Sequence, residues 1–223
     1  MIKVSKRIEA ICSLIPINSK VIDIGCDHGL LDIFLYQNKI SNQIIASDIN
    51  ENALNMAKKN IEKNKLQDKI ELRLGNGLDV LTEKDKVNTI VITGLGAHTI
   101  IEILKKNFLK LNQVDNIIIG SNTKLEYLRK EVTKMNYIIE DEIIIEDNQK
   151  IYTIIKFKKG NKKYTKKELY FGPILLEKRN EIFEKNTRKE LEKLKTIKTK
   201  LPKRKLFDKL KVIREIKLYK KII

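Results

Sequence analysis

Apolar and polar positions follow two alternating rhythms over the first 160 residues. Ile8, Ile11, Leu14 and Ile15 recur at a helical spacing, in a segment opened by Ser5 and closed before Pro16. Val21-Ile22-Asp23-Ile24-Gly25 reads as a short buried strand ended by a glycine, and a helix with Leu31, Phe34 and Leu35 on one face follows it. The alternation continues with a strand at 44–48, a helix at 52–63 with Leu54, Ala57 and Ile61 inward, and a strand at 70–74. Next come a short helix at Val80 and Leu81, a strand at 89–93, a helix at 99–106, a strand at 117–119 and a helix at 124–135. Two further apolar runs, 137–145 and 151–157, are only five residues apart, which favours an antiparallel hairpin over a crossover. Five βα units and a hairpin predict a mainly parallel sheet covered on both faces.

Gly160-Asn161-Lys162-Lys163 marks a boundary, and the pattern beyond it is helical. Phe183, Thr187, Glu190, Leu194, Ile197 and Leu201 are spaced 4, 3, 4, 3, 4, a heptad with two polar members. Pro202 breaks it, Lys203-Arg204-Lys205 makes a basic turn, and Leu206, Leu210, Ile213 and Lys217 suggest a returning helix. The expectation is an α/β domain over 1–160 and a helical one over 161–223, with 174–223 forming a helical hairpin or short antiparallel coiled coil.

Charge divides the chain at the same place. Of 223 residues, 46 are Lys or Arg and 29 Asp or Glu, a net charge of +17. Residues 1–160 hold 24 basic and 21 acidic side chains, whereas residues 161–223 hold 22 and 8. A compositional bias toward lysine would spread evenly, so this segregation points to a basic module with an anionic partner, nucleic acid before membrane surface. Cys12 and Cys26 have neither the number nor the spacing of a disulfide framework or zinc site, and no metal is expected. The start carries no apolar run of signal-peptide length, and no segment approaches the ~20 apolar residues of a membrane span. A cytoplasmic protein is expected.

Candidate chemistry gathers at the strand ends. Asp23-Ile24-Gly25-Cys26-Asp27-His28-Gly29 leaves a strand and opens a helix; its glycines permit close backbone approach to a ligand. The dinucleotide fingerprint G-x-G-x-x-G is absent, which disfavours a dehydrogenase. The G-x-x-x-G spacing after an Asp suits a nucleoside without a pyrophosphate, its amino-acid ammonium meeting a carboxylate. Asp48, ending the second strand, can accept both hydroxyls of a ribose. Asn76, in Gly75-Asn76-Gly77, can meet an adenine edge, although Asn and Gly also make ordinary turns. In chain order these describe methionine, ribose and adenine contacts, the layout of a Rossmann-like methyltransferase using S-adenosylmethionine. Thr93-Gly94-Leu95-Gly96-Ala97-His98 ends the fourth strand, and its small residues leave space for a base. An Asp/Asn-Pro-Pro-Tyr/Phe element is missing there, which argues against exocyclic amino methylation. His28 is expected to orient the first loop, and His98 to cap a helix or meet RNA phosphate.

With these motifs the chain resembles the bacterial TrmK family, the tRNA (adenine-N1)-methyltransferases that modify adenosine 22. The resemblance spans nearly the whole sequence: Ser5-Lys6-Arg7 before the first helix, Asp23 to Gly29, Ala46-Ser47-Asp48-Ile49-Asn50, Glu126-Tyr127-Leu128-Arg129, and Tyr170-Phe171-Gly172-Pro173-Ile174-Leu175. Three loops depart from the family pattern. Gly75-Asn76-Gly77 stands for Gly-Asp-Gly, Gly94-Leu95-Gly96-Ala97 for Gly-Met-Gly-Gly, and Gly120-Ser121-Asn122 for Gln-Pro-Asn. The resemblance implies a Rossmann-like domain with a C-terminal coiled-coil domain. It implies S-adenosylmethionine bound by Asp23, Gly25, Cys26, His28, Gly29, Asp48, Ile49, Asn76, Gly77 and Gly94, and tRNA gripped by Arg7, Lys203, Arg204 and Lys205.

Adenine N1 has a lone pair and can attack a methyl group without first losing a proton, so positioning and charge stabilisation would carry the reaction. Asp27 is the candidate for stabilising the cationic base and Asn122 for holding it. The chain is expected to act as a monomer. Two alternatives stay open from sequence: a methyltransferase for another RNA or a small molecule, and a non-catalytic RNA-binding protein on a degenerate fold.

Overall fold

A computed structural model describes residues 2–202 and 205–223, with every side chain among them except that of Leu206. The order of elements is α1 (Lys6–Leu14), β1 (Lys20–Ile24), α2 (Leu30–Gln37), β2 (Gln43–Asp48), α3 (Glu51–Lys63), β3 (Ile70–Leu74), β4 (Thr89–Thr93) and α4 (Ala97–Lys106). Then follow β5 (Asn116–Ser121), α5 (Leu125–Thr133), β6 (Tyr137–Asp147), β7 (Lys150–Lys159), α6 (Lys166–Phe171), α7 (Pro173–Lys178), α8 (Glu181–Lys200) and α9 (Leu206–Tyr219). The expected short helix at Val80 is a 3-10 turn, Gly77–Val80. The seven strands form one sheet in the order β3-β2-β1-β4-β5-β7-β6, parallel from β3 to β5, with the β6–β7 hairpin antiparallel on one side.

The central strands are continuous apolar runs because both of their faces are covered. Ile22, Ile90, Ile92, Ile117 and Ile119 point one way, toward Ile100 and Leu104 of α4 and Leu128 and Val132 of α5. Val21, Val91 and Ile118 point the other way, toward Ile11 of α1, Ile33 and Leu35 of α2 and Ala57 and Ile61 of α3. Alternate residues on a strand face opposite sides, so one short run feeds two cores.

The segment after residue 160 is not simply tethered. Arg129 of α5 is wholly buried; its Nε donates to Glu142 Oε1 of β6 at 2.7 Å and its Nη1 to the carbonyls of Leu169 and Tyr170 at 3.0 and 3.1 Å. Glu142 Oε2 accepts from Ile174 N at 3.1 Å. Between them Gly172 turns the chain at φ 93°, and a Cβ there would collide with both side chains. Phe171, Leu175, Phe183 and Ile222 then share an apolar cluster with Ile144 of β6.

Helices α8 and α9 pack against each other, and Arg179 at the base of α8 bonds to the Ile222 carbonyl near the chain end, so α9 runs back along α8. The seam differs from the expected heptad. Phe183, Thr187 and Leu191 are buried, whereas Glu190 pairs with Lys193 at the surface and Ile197 is 46% exposed. On the returning helix Ile216 is buried and Lys217 is exposed, a shift of one position. Thr187 tolerates burial because its hydroxyl donates to the Phe183 and Glu184 carbonyls of its own helix, a bond the apolar pattern does not reveal.

Removing Arg129 leaves the Glu142 carboxylate buried without its cation. Arg129→Ala should cost about 3–5 kcal/mol in urea unfolding, and Arg129→Met with Glu142→Leu should recover most of it.

Candidate active site

The strand order reverses between β1 and β4, since β2 lies on one side of β1 and β4 on the other. Helices leaving such a pair go to opposite faces and open a crevice at the carboxyl ends of the strands. The β1 loop fits this crevice through three left-handed residues, Gly25 (φ 78°), Asp27 (φ 50°) and Gly29 (φ 66°). Gly25 N and Cys26 N donate to the Ser47 carbonyl at 2.8 and 3.0 Å, which ties the loop to β2. Asp48 is fixed from three sides. Its Oδ2 accepts from Asp27 N at 3.2 Å, its Oδ1 from Asn50 N at 2.8 Å, and its carbonyl from Gly75 N at 2.9 Å.

Around this junction lies a cleft of about 770 Å³. Asp23, Gly25, Cys26, Asp27, His28, Asp48, Ile49, Asn76, Gly77 and Gly94 all line it. Gly29 does not. It caps the N-terminus of α2, where a Cβ would stand 3.2 Å from that of Ala57, so its role is close packing of the loop on α3. His28 is half exposed, its Nε2 3.6 Å from Asp27 Oδ1, and the Asn60 amide donates to its carbonyl at 2.9 Å. His98 lies in the first turn of α4, its ring tilted against that of Tyr127 with centroids 4.8 Å apart and its Nε2 2.5 Å from Lys124 Nζ, and does not cap the helix.

A second cavity of about 210 Å³ adjoins the first at the end of β4. Asn122 and Gly120-Ser121 line it, and Arg7, Thr93, Gly94, Leu95 and Tyr152 line both. Asp27 and Asn122 therefore line different cavities. Sequence patterning missed Tyr152, Asp147 and Asn148. They are brought in because β7 inserts antiparallel beside β5, with Thr153 opposite Ser121, and this swings the hairpin turn to the carboxyl ends of the parallel strands. The turn itself was legible; its partner strand was not. Of the basic turn, Lys205 is exposed, while Lys203 and Arg204 lie outside the described residues.

Electrostatics set Asp23 apart. It is 3% exposed, and its Oδ1 has no hydrogen-bond partner. Burial, with the nearby Asp48 charge, pushes its carboxyl up to about 7. Asp32 of α2 is wholly buried with both carboxylate oxygens unpartnered, and burial followed by the charge of Asp23 raises it as well. Burial and the same carboxylates hold the Cys12 and Cys26 thiols high, so Cys26 is a wall and not a nucleophile. The cleft thus offers an unsatisfied carboxylate for an ammonium, a fixed acid for hydroxyls, an amide at Asn76 and an exposed apolar Ile49 for a flat ring. Among the described residues no group of three or more His, Cys, Asp or Glu could hold a metal ion.

The profile of the TrmK family, tRNA (adenine(22)-N(1))-methyltransferase, matches residues 21–221. The chain belongs to the TrmK family. The tRNA (adenine(22)-N(1))-methyltransferase of Bacillus subtilis is 27% identical over 202 residues, 88% of this chain and 84% of its own. A Streptococcus pneumoniae protein crystallised with S-adenosyl-L-methionine superposes with a TM-score of 0.91 at 30% identity, covering 99% of both chains. M. capricolum TrmK in complex with S-adenosyl-homocysteine superposes with a TM-score of 0.87 at 30% identity, covering 98% of this chain and 96% of that one. The fold is accordingly the Rossmann-like α/β methyltransferase fold, and the crevice between β1 and β4 is where the motifs after β1 and β2, Asp23–His28 and Asp48–Asn50, come together.

A carboxyl group raised from 3.8 to about 7 binds more protons folded than unfolded between those values, so stability falls as pH rises through that window. Urea unfolding of the protein from pH 4 to pH 8 should show this loss, and Asp23→Asn should flatten the part of it due to Asp23.

Proposed function

We propose that the protein transfers a methyl group from S-adenosylmethionine to N1 of adenosine 22 in tRNA. The observation that carries this reading is the meeting of the two cavities at Thr93, Gly94 and Leu95, one suited to an amino-acid nucleoside and the other to a single base. When bound, S-adenosylmethionine supplies a methyl group made electrophilic by a sulfonium. Asp23 would take its ammonium, which supplies the partner that the buried Oδ1 lacks. Asp48 would take the ribose hydroxyls, and Asn76 with Ile49 the adenine.

The chain's own task is positioning. Asn122 holds the target base in the smaller cavity, with N1 aimed through the gap at Gly94; adenine N1 needs no base to deprotonate it. Asp27, exposed in the larger cleft, supplies negative charge toward the cation that forms. An adenine inside a folded tRNA must leave its stack to enter. We divide the chain into a methyltransferase domain, 1–160, and a basic tRNA-binding domain, 161–223. Helices α6 and α7 of the latter dock it on the sheet, and α8 and α9 form a short coiled-coil arm. The arm grips phosphates and shape through Lys205 and its neighbours, and in the sequence Lys203 and Arg204 immediately precede Lys205 and add to the same basic run. We read the protein as a monomer acting in the cytoplasm.

Incubation with methyl-labelled S-adenosylmethionine and unmodified tRNA, followed by mapping, should place the label at N1 of adenosine 22; a label elsewhere overturns the target. In the same assay Asp27→Ala should bind tRNA normally and lose turnover. Changing Lys198, Lys200, Lys205 and Lys209 together to Gln should weaken tRNA binding and flatten its salt dependence while cofactor affinity holds.

A further inference from the structure

Tyr152 stands on β7 beside Thr153, which pairs with Ser121 at the carboxyl end of β5. Its ring is half-buried where the two cavities meet, and the Arg7 guanidinium lies over it, 5.1 Å from the centroid. The ring face therefore already holds a planar cation at the junction through which the methyl group passes. The reaction makes another planar cation in the same place. As the N1–methyl bond forms and the sulfur–methyl bond breaks, that bond's electron pair returns to sulfur. No proton leaves, and the positive charge moves from the sulfonium onto the adenine. An aromatic face that meets the base gains attraction as this charge grows, so the contact is stronger in the transition state than in the ground state.

We infer that Tyr152 is the face on which the target adenine lies, displacing the Arg7 guanidinium, and that its π electrons stabilise the charge developing on the base. This rests on the reading that the chain methylates adenine N1. Arg7, once displaced, remains at the mouth of the base pocket, where a cation meets the phosphate of the incoming nucleotide. The assignment joins two residues 145 positions apart in one role and gives the smaller cavity a floor that Asn122 alone does not supply.

The test replaces Tyr152 in the full-length protein with Phe and then with progressively fluorinated phenylalanines, which hold size nearly constant while withdrawing π density. Single-turnover methylation of tRNA and calorimetric affinities for S-adenosylmethionine and S-adenosylhomocysteine are read for each. Tyr152→Phe should stay near wild type, and the single-turnover rate should fall steadily along the series, by about tenfold in all. Tyr152→Leu should fall at least as far, with both cofactor affinities level throughout. A rate indifferent to fluorination makes the ring a packing wall and overturns the inference alone. Affinity for S-adenosylmethionine, but not for its product, that falls along the series assigns the ring to the sulfonium and overturns it too. A wild-type protein that transfers no methyl to adenine N1 overturns the functional reading and this inference together.

Discussion

The site follows from one constraint: a parallel sheet covered on both faces can expose polar groups only at the ends of its strands. Val21, Ile22, Ile90, Val91, Ile92 and the three isoleucines 117–119 are completely buried, so nothing along the middle of β1, β4 or β5 reaches solvent. The strand order reverses at β1 and β4, and the helices that follow diverge there. The loops after β1, β2, β3 and β4 therefore surround one crevice, and the hydrogen bonds from Gly25, Cys26, Asp27 and Gly75 to β2 hold them in register. The exception to apolar burial proves informative. Asp23 and Asp32 are carboxylates inside the fold with unpartnered oxygens, a cost that a bound ammonium would offset for Asp23.

A second interaction decides where the arm points. Arg129, Glu142 and the backbone around Gly172 form one buried polar unit joining α5, β6 and the start of the helical tail. The geometry explains why the segments around Arg129 and Gly172 both carry the family resemblance although 43 residues separate these two positions. The guanidinium fills the space that a side chain at 172 would need. Docked this way, the basic arm is a fixed extension of the methyltransferase sheet at its base, where Phe171, Phe183 and Ile222 pack on Ile144, and it becomes more exposed toward Ile197 and Phe207.

The sequence by itself determined the elements of the α/β part, the loops that line the crevice and the basic character of the tail. Local signals were enough for these: apolar runs between glycines, carboxylates at strand ends, and a charge segregation that composition cannot produce. The tertiary structure decided what depends on strands distant in sequence coming together. β7 inserts between β5 and β6 by pairing backbone with backbone, which leaves no side-chain pattern, and so the entry of Tyr152 into both cavities was invisible along the chain. Gly29 looks like a ligand-binding glycine in the motif but is turned toward Ala57, because a left-handed φ is needed equally for a tight turn and for close helix packing. In the arm, a hydroxyl bonded within its own helix lets Thr187 stay buried in the seam, and Leu191 occupies the place the heptad had given to Glu190, a shift of one residue that depends on how α8 packs.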